Sequence, residues 1–232
     1  MRGRPMFCPE QLGTGIQTPG SHAEYMVAYA DSTMLLPENV SYEEVAPIFC
    51  AGYTVWSGLR YADPKPHESI AVVGIGGLGH LAVQYSKAAG FKTFAVTHSP
   101  DKMELASKLG ADVVVKNGEE LNSAGGADVL LATSNSYQST SNAMKGLRPD
   151  GRAVIMGVST EPLTLTPVDL IVKTIRVIGS SQNGSQYLYE ALDYVAKGKV
   201  KPIIETFPLD RVTEAYDKVA DGKVRFRAVI KT

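Results

Sequence analysis

The sequence has little cysteine, no excess charge of either sign and no long apolar run, and each shortage removes a class of protein. Cys8 and Cys50 are its only cysteines. They are too few and too far apart for a disulfide framework, so a reducing, cytoplasmic compartment is expected. Lys and Arg number 23 against 24 Asp and Glu, a formal net charge of −1. That balance argues against a broad basic face for nucleic acid or an anionic membrane. No apolar run approaches the length of a transmembrane helix. Met1-Arg2-Gly3-Arg4-Pro5 leads into no apolar segment of the kind a secretory signal needs. Repeats, low-complexity tracts and long charge runs are also missing. What remains is 44% hydrophobic over 232 residues, which suits one large domain or one domain plus a fragment of another.

The richest stretch is Ser69 to Ala89. The apolar run Ile70-Ala71-Val72-Val73 reads as a buried strand. Gly74, Gly76 and Gly79 follow in G-x-G-x-x-G spacing, and Leu78, Leu81, Ala82, Tyr85 and Ala88 carry a helical period. Gly74 permits a tight turn, Gly76 admits a pyrophosphate against the backbone, and Gly79 lets the helix lie close to the strand. The unpaired N–H groups of the helix start, with the positive end of the helix dipole behind them, suit phosphate. Strand, turn and helix together predict dinucleotide binding.

Strands and helices then alternate. Strands are expected at Ser69–Val73, Thr93–Thr97, Asp112–Val115, Asp128–Ala132, Arg152–Met156 and Arg176–Gly179. Helices are expected at 78–89, 100–109, 137–147 and 167–173. Pro100 and Pro167 stand at first-turn positions, and Gly90 and Gly110 follow helix ends. This order implies an α/β fold, a doubly wound six-stranded parallel sheet of the Rossmann type, with its ligand where strand order reverses. Before it, 42–60 reads as one helix. Residues 1–40 are rich in Gly and Pro, with only 23–28 and 33–36 strand-like. After it come a helix near 186–195, a strand near 203–207, a helix at 211–219 and a last strand at 226–231, which is expected to return toward whatever 1–40 belongs to. The domain boundaries expected are therefore 1–40, 41–180 and 181–232.

The end of the second strand selects between nicotinamide cofactors. An Asp or Glu there would hold the adenosine 2′-hydroxyl of NAD. This sequence has Thr97-His98-Ser99-Pro100-Asp101-Lys102. Hydroxyls and a cation suit a 2′-phosphate, so NADP(H) is favoured over NAD(H). Ser99 also suits the N-cap of the following helix, and an Asp101 turned to the ribose would reverse the preference.

Four groups of residues carry a family resemblance: Gly20-Ser21-His22-Ala23-Glu24-Tyr25, Ala46 through Val55, Val73 through His80, and Lys108-Leu109-Gly110-Ala111. With them the chain resembles the medium-chain dehydrogenase/reductase superfamily, on the side of the zinc-containing alcohol dehydrogenases, near the cinnamyl-alcohol and microbial alcohol dehydrogenases. The resemblance implies that 1–40 is a remnant of a GroES-like β catalytic domain. It implies cofactor-binding roles for Thr54, Gly74, Gly76, Gly77, Leu78, Gly79, Thr97, Ser99, Lys102, Gly157, Val158 and Arg227, with Arg225 two residues before the last. Cys50 matches a catalytic-zinc ligand and Cys8 a structural-zinc ligand. The activity implied is hydride transfer between a small-molecule alcohol and an aldehyde or ketone, in a homo-oligomer, dimer or tetramer, with no nucleic acid or membrane partner.

The departures matter equally. By the resemblance, a catalytic-zinc cysteine, the family's Gly-His-Glu zinc motif and the first three cysteines of the structural site would precede this chain. The resemblance therefore implies that it binds cofactor, is catalytically incomplete and holds no zinc by itself. None of His22, His67, His80 and His98 matches a ligand motif; His80 reads as packing or phosphate-adjacent, and His67 as solvated. The alternative is a non-catalytic nucleotide-binding module or a dimerising pseudoenzyme. A zinc-free reductase is disfavoured by Cys8 and Cys50. Tyr25, Val27, Phe226 and Val229 are expected to expose apolar surface, and Cys50 on its own reads as a buried thiol.

Overall fold

A computed structural model of the chain describes residues 7–232. The Met1–Pro5 stretch read above lies outside the described residues, as does Met6. At the centre lie six strands: β1 Ser69–Val73, β2 Lys92–Val96, β3 Val113–Val115, β4 Ala127–Ala132, β5 Leu147–Ile155 and β6 Arg176–Gly179. They form one parallel sheet in the order β3-β2-β1-β4-β5-β6. The order reverses between β1 and β4, as expected of the doubly wound fold.

Successive strand residues point to opposite faces, and the sheet is buried on both. Ile70 and Val72 pack into one core with Leu81, Tyr85, Val55, Trp56 and Leu192. Ala71 and Val73 pack into the other with Phe94, Val96, Leu121, Met144 and Leu147. The first core is closed by α2 Ala51–Tyr61, α3 Gly79–Ala88 and α8 Ser185–Ala196. The second is closed by α5 Gly118–Ser123 and α6 Tyr137–Met144. Trp56 is a core residue whose Nε1 donates to Glu190 Oε2 at 2.7 Å.

Elements fall close to their expected places, with instructive exceptions. The single helix expected over 42–60 is divided. α1 Tyr42–Val45 opens with a capping box between Ser41 and Glu44, Ala46–Phe49 continues as a 3-10 turn, and α2 starts at Ala51. Pro47 lacks an N–H and disturbs its neighbours, so the α pattern cannot run through it. Cys50 is the joint and stands exposed, which corrects the reading of it as a buried thiol. α5 was not legible beforehand: it is short and polar, and its main signal is the Asn117 cap, whose Oδ1 accepts from Glu120 N at 2.9 Å. The helix expected to reach 147 stops at Met144, because Leu147 joins β5 opposite Ala127. α4 Pro100–Lys108 and α7 Pro167–Lys173 begin at their prolines, and Gly90 and Gly110 adopt the positive φ of helix ends.

Within 7–40 the strand-like stretches form no strand; a backbone bridge joins Thr14 and Thr18. Extended chain without a partner gains no ladder hydrogen bonds. Tyr25 and Val27 are exposed as expected, whereas Met34 and Leu36 pack on the first core. The last strand is β8 Arg227–Lys231. It pairs in parallel with β7 Ile204–Pro208, flanked by α9 Val212–Ala220. This pairing buries Val229 and brings Phe226 against the first core, so the expectation that both would be exposed is corrected.

Candidate functional site

Where the sheet order reverses, two adjoining clefts open at the carboxyl ends of β1, β2 and β4. The larger, about 710 Å³, is lined by the glycine turn Gly74–Leu78, by Asp101 and Lys102, by Thr133–Asn135, by Gly157 and Val158, and by the 219–226 segment. The second, about 510 Å³, shares Gly74, Ile75, Lys102 and Ser134 and extends past Thr97 and Ser99 to Lys116 and Asn117.

The turn is built by close approaches. Gly74 has φ +85°, and a Cβ there would lie 2.7 Å from Cβ of Ser134. A Cβ on Gly79 would lie 1.9 Å from the Gly74 carbonyl oxygen, so α3 starts closer to β1 than any side chain allows. By contrast a Cβ on Gly76 would meet nothing within 4 Å. Its lack of a side chain serves space in the cleft rather than packing. Gly157 lies under Ser134, whose carbonyl oxygen would stand 2.0 Å from a Cβ. Thr133 Oγ1 lies 2.7 Å from the Gly74 oxygen and 2.9 Å from that of Val73, which ties the end of β4 to the turn.

The N–H groups of Gly76, Gly77 and Leu78 have no hydrogen-bond acceptor among the described residues. They stand before the first turn of α3, where the helix dipole favours an anion. Arg227 lies over the same turn, its Nη1 3.2 Å from the point where a Gly77 Cβ would be. These features fit a pyrophosphate.

His80 locks the turn to the C-terminal strands. Its Nε2 accepts from Ile203 N at 3.2 Å, so the proton sits on Nδ1, which donates to the Gly76 oxygen at 2.9 Å. Its ring lies 5.0 Å from that of Phe226. Burial, with the Arg227 charge adding to it, holds its pKa down at about 4. His80 is therefore a neutral packing residue beside the phosphate turn.

At the end of β2, Ser99 occupies the N-cap position of α4 but makes no capping bond. Its hydroxyl instead donates to Asp101 Oδ1 at 2.5 Å, so the capping role is corrected. Asp101 also pairs with Arg225. The Ser99 hydrogen bond and the Arg225 guanidinium pull the Asp101 carboxyl down to about 2. Lys102 and Lys116 form no ion pair among the described residues, and the smaller cleft contains no carboxylate in its lining.

Of the residues singled out from sequence, Gly74, Gly76, Gly77, Leu78, Lys102, Gly157 and Val158 line the larger cleft, and Thr97 and Ser99 the smaller. Gly79 and Arg227 shape the turn from behind and above. Thr54 is half-buried on α2, its N–H donating to the Cys50 oxygen, and lines neither cleft. Thr133, Ser134, Lys116 and, apart from Arg225, the 219–226 segment were missed. The first two follow a buried strand at its carboxyl end, a signal that was there to read; 219–226 arrives through tertiary structure alone.

The geometry agrees with relatives of known kind. A family model described as zinc-binding dehydrogenase matches residues 77–197. An alcohol dehydrogenase of Geobacillus stearothermophilus is 37% identical over 237 residues, covering 100% of this chain and 70% of the relative. The chain belongs to the zinc-type alcohol dehydrogenases of the medium-chain dehydrogenase/reductase superfamily. Like them it is an oxidoreductase by family. The alcohol dehydrogenase of the archaeon Aeropyrum pernix superposes with a TM-score of 0.90 at 27% identity, over 100% of this chain and 71% of that one. The acetophenone reductase of Geotrichum candidum, solved in complex with NAD, superposes with a TM-score of 0.84 at 27% identity, over 97% and 66%.

The family's zinc finds no such fit. Among the described residues no three His, Cys, Asp or Glu side chains lie together in a way that would hold a metal ion, whereas a zinc site needs at least three protein ligands. Cys50 is exposed and Cys8 half-exposed, and both thiols are free. Nor is any described helix long and apolar enough to cross a membrane.

Proposed function

We propose that the paired clefts bind a nicotinamide adenine dinucleotide, NADP(H) in preference to NAD(H), for reversible oxidation of a small-molecule alcohol to an aldehyde or ketone. One observation carries this reading: the three acceptor-less amides belong to residues lining the larger cleft, and the adjoining smaller cleft, which shares Lys102, holds two lysines without ion pairs and no carboxylate among the described residues. Oriented amides and free cations recognise phosphate oxygens, and the smaller cleft offers no carboxylate of its own to repel a 2′-phosphate.

When bound, the dinucleotide supplies the hydride chemistry of the reaction. The chain's own residues bind and orient it. Gly76, Gly77 and Leu78 donate to the pyrophosphate, with Arg227 as its counter-charge. Thr97, Ser99 and Lys102 take the adenosine end. Gly157 and Val158 serve the carboxamide, and Thr54 the nicotinamide end. Gly74 and Gly79 shape the turn. Cys50 and Cys8 remain single thiol positions to which no metal is assigned, and no described residue is given the task of activating the alcohol oxygen.

Residues 1–40 are read as a remnant of a GroES-like catalytic domain, 41–180 as the cofactor domain, and 181–232 as its end together with the strand that returns to the catalytic domain. Free thiols support a cytoplasmic setting. The open edge of β6 and the exposed Ile171 and Val172 of α7 support a homo-oligomer.

Titration of the protein with NADPH and NADH, followed by calorimetry, tests the cofactor. NADPH is expected to bind about tenfold tighter, and Lys102→Ala to remove that advantage while leaving NADH within about twofold. Equal affinities would defeat the preference. Heats that stay flat for both nucleotides up to about 1 mM would defeat the dinucleotide reading itself.

A further inference from the structure

Asp101 and Arg225 come from opposite sides of the larger cleft. Asp101 is in the first turn of α4, directly after β2; Arg225 lies on the connection into β8. Both line the cleft, and their side chains pair across it while staying about half exposed. Each is held by other groups as well. Asp101 accepts from the Ser99 hydroxyl at 2.5 Å. The Arg225 backbone N–H donates to Glu205 Oε1 at 2.8 Å, and its guanidinium lies 5.7 Å from the Phe226 ring centroid.

Asp101 is also the acid nearest the position where this fold reads the adenosine ribose. A bare carboxylate there accepts from a 2′-hydroxyl and repels a 2′-phosphate. With Arg225 on it, that carboxylate is neutralised and already occupied. We propose that the Asp101–Arg225 pair sets the discrimination between NADP(H) and NAD(H), with Arg225 acting as a specificity-determining residue by masking Asp101. The inference rests on the dinucleotide reading of the same clefts. It supplies what the free lysines do not: a reason why an acid beside the ribose position does not impose NAD.

The charges predict opposite effects for the two single variants. Arg225→Ala unmasks the carboxylate, so the ratio of NADPH to NADH affinity falls about tenfold. Asp101→Asn removes the carboxylate and leaves the guanidinium free, so the ratio rises several-fold. The double variant loses both charges and lies between the two singles. Both side chains are half exposed, so the variants are expected to keep the wild-type melting temperature. Arg225→Lys, which retains the charge, should restore most of the wild-type ratio.

The measurement is the pair of dissociation constants for NADPH and NADH on each variant, by calorimetry, with no turnover required. Opposite shifts in the two singles support the proposal, even if the wild-type protein prefers NADH. That last result would sink the cofactor preference proposed above and leave the masking intact. A wild-type preference for NADPH that neither variant moves by twofold would overturn the masking and leave the preference standing. Shifts of the same sign in both singles also overturn it. Absence of binding by either nucleotide would overturn both readings together.

Discussion

A Cβ placed on Gly79 would stand 1.9 Å from the carbonyl oxygen of Gly74. Neither can yield cheaply, because the Cβ is fixed rigidly to its Cα and the oxygen belongs to the backbone of the turn that joins β1 to α3. Gly79→Ala is therefore expected to destabilise the protein by about 3 kcal/mol, since an overpacked buried site must shift its surroundings. Gly76→Ala has free space around its new methyl and should leave stability within about 0.5 kcal/mol. That methyl fills the space offered to phosphate, so dinucleotide affinity is expected to drop at least about tenfold. Urea unfolding and calorimetry on the two variants separate the effects.

His80 makes stability depend on pH. Its folded-state pKa is lowered from 6.5 to about 4, by burial first and by the charge of Arg227 in addition. A depressed histidine binds its proton more readily in the unfolded state. Its contribution is thus intact above about pH 6.5, and stability falls as pH drops toward 4, by on the order of 3 kcal/mol in all. His80→Gln should flatten that slope, leaving the carboxylate titrations below it. Urea midpoints at intervals between pH 7 and 4 check this, and parallel slopes in the two proteins would refute it.

Arg152 on β5 is buried against Glu68, donates from Nη1 to the Asp63 carbonyl oxygen at 3.3 Å, and leaves its Nε without a partner among the described residues. Removing one member of such a pair strands the other charge. Glu68→Ala is expected to cost about 3 kcal/mol, whereas Glu68→Leu combined with Arg152→Met should recover most of the loss. Denaturant midpoints of the three proteins decide between this and a pair of no consequence.

Ile171 and Val172 expose apolar surface on α7, the helix that precedes the edge strand β6 in the chain. If that edge joins two copies, Ile171→Lys with Val172→Lys should convert a dimeric mass to a monomeric one in light scattering, with the monomer still binding NADPH. An unchanged mass would locate the contact elsewhere.

The sheet was readable in advance because its signals are local. Ser69–Val73, Arg176–Gly179 and Pro167–Lys173 fall where apolar runs and a first-turn proline place them. The glycine turn was readable for the same reason: the positive φ of Gly74 and the approach of Gly79 to the Gly74 oxygen are demands met within a few residues. α5 was not, because it is short, polar and capped by one asparagine. The split at Pro47 was written in the sequence but outweighed by the apolar period around it.

By itself, then, the sequence determined the α/β alternation, the glycine turn and the hydroxyl-rich end of β2, all of which follow from residues close along the chain. Tertiary structure alone decided that β8 pairs with β7, that Phe226 and Val229 are covered, and that Arg225 meets Asp101. Those contacts join segments more than a hundred residues apart in the case of Asp101 and Arg225. Their partners are chosen by how whole elements pack, and no local pattern records that choice.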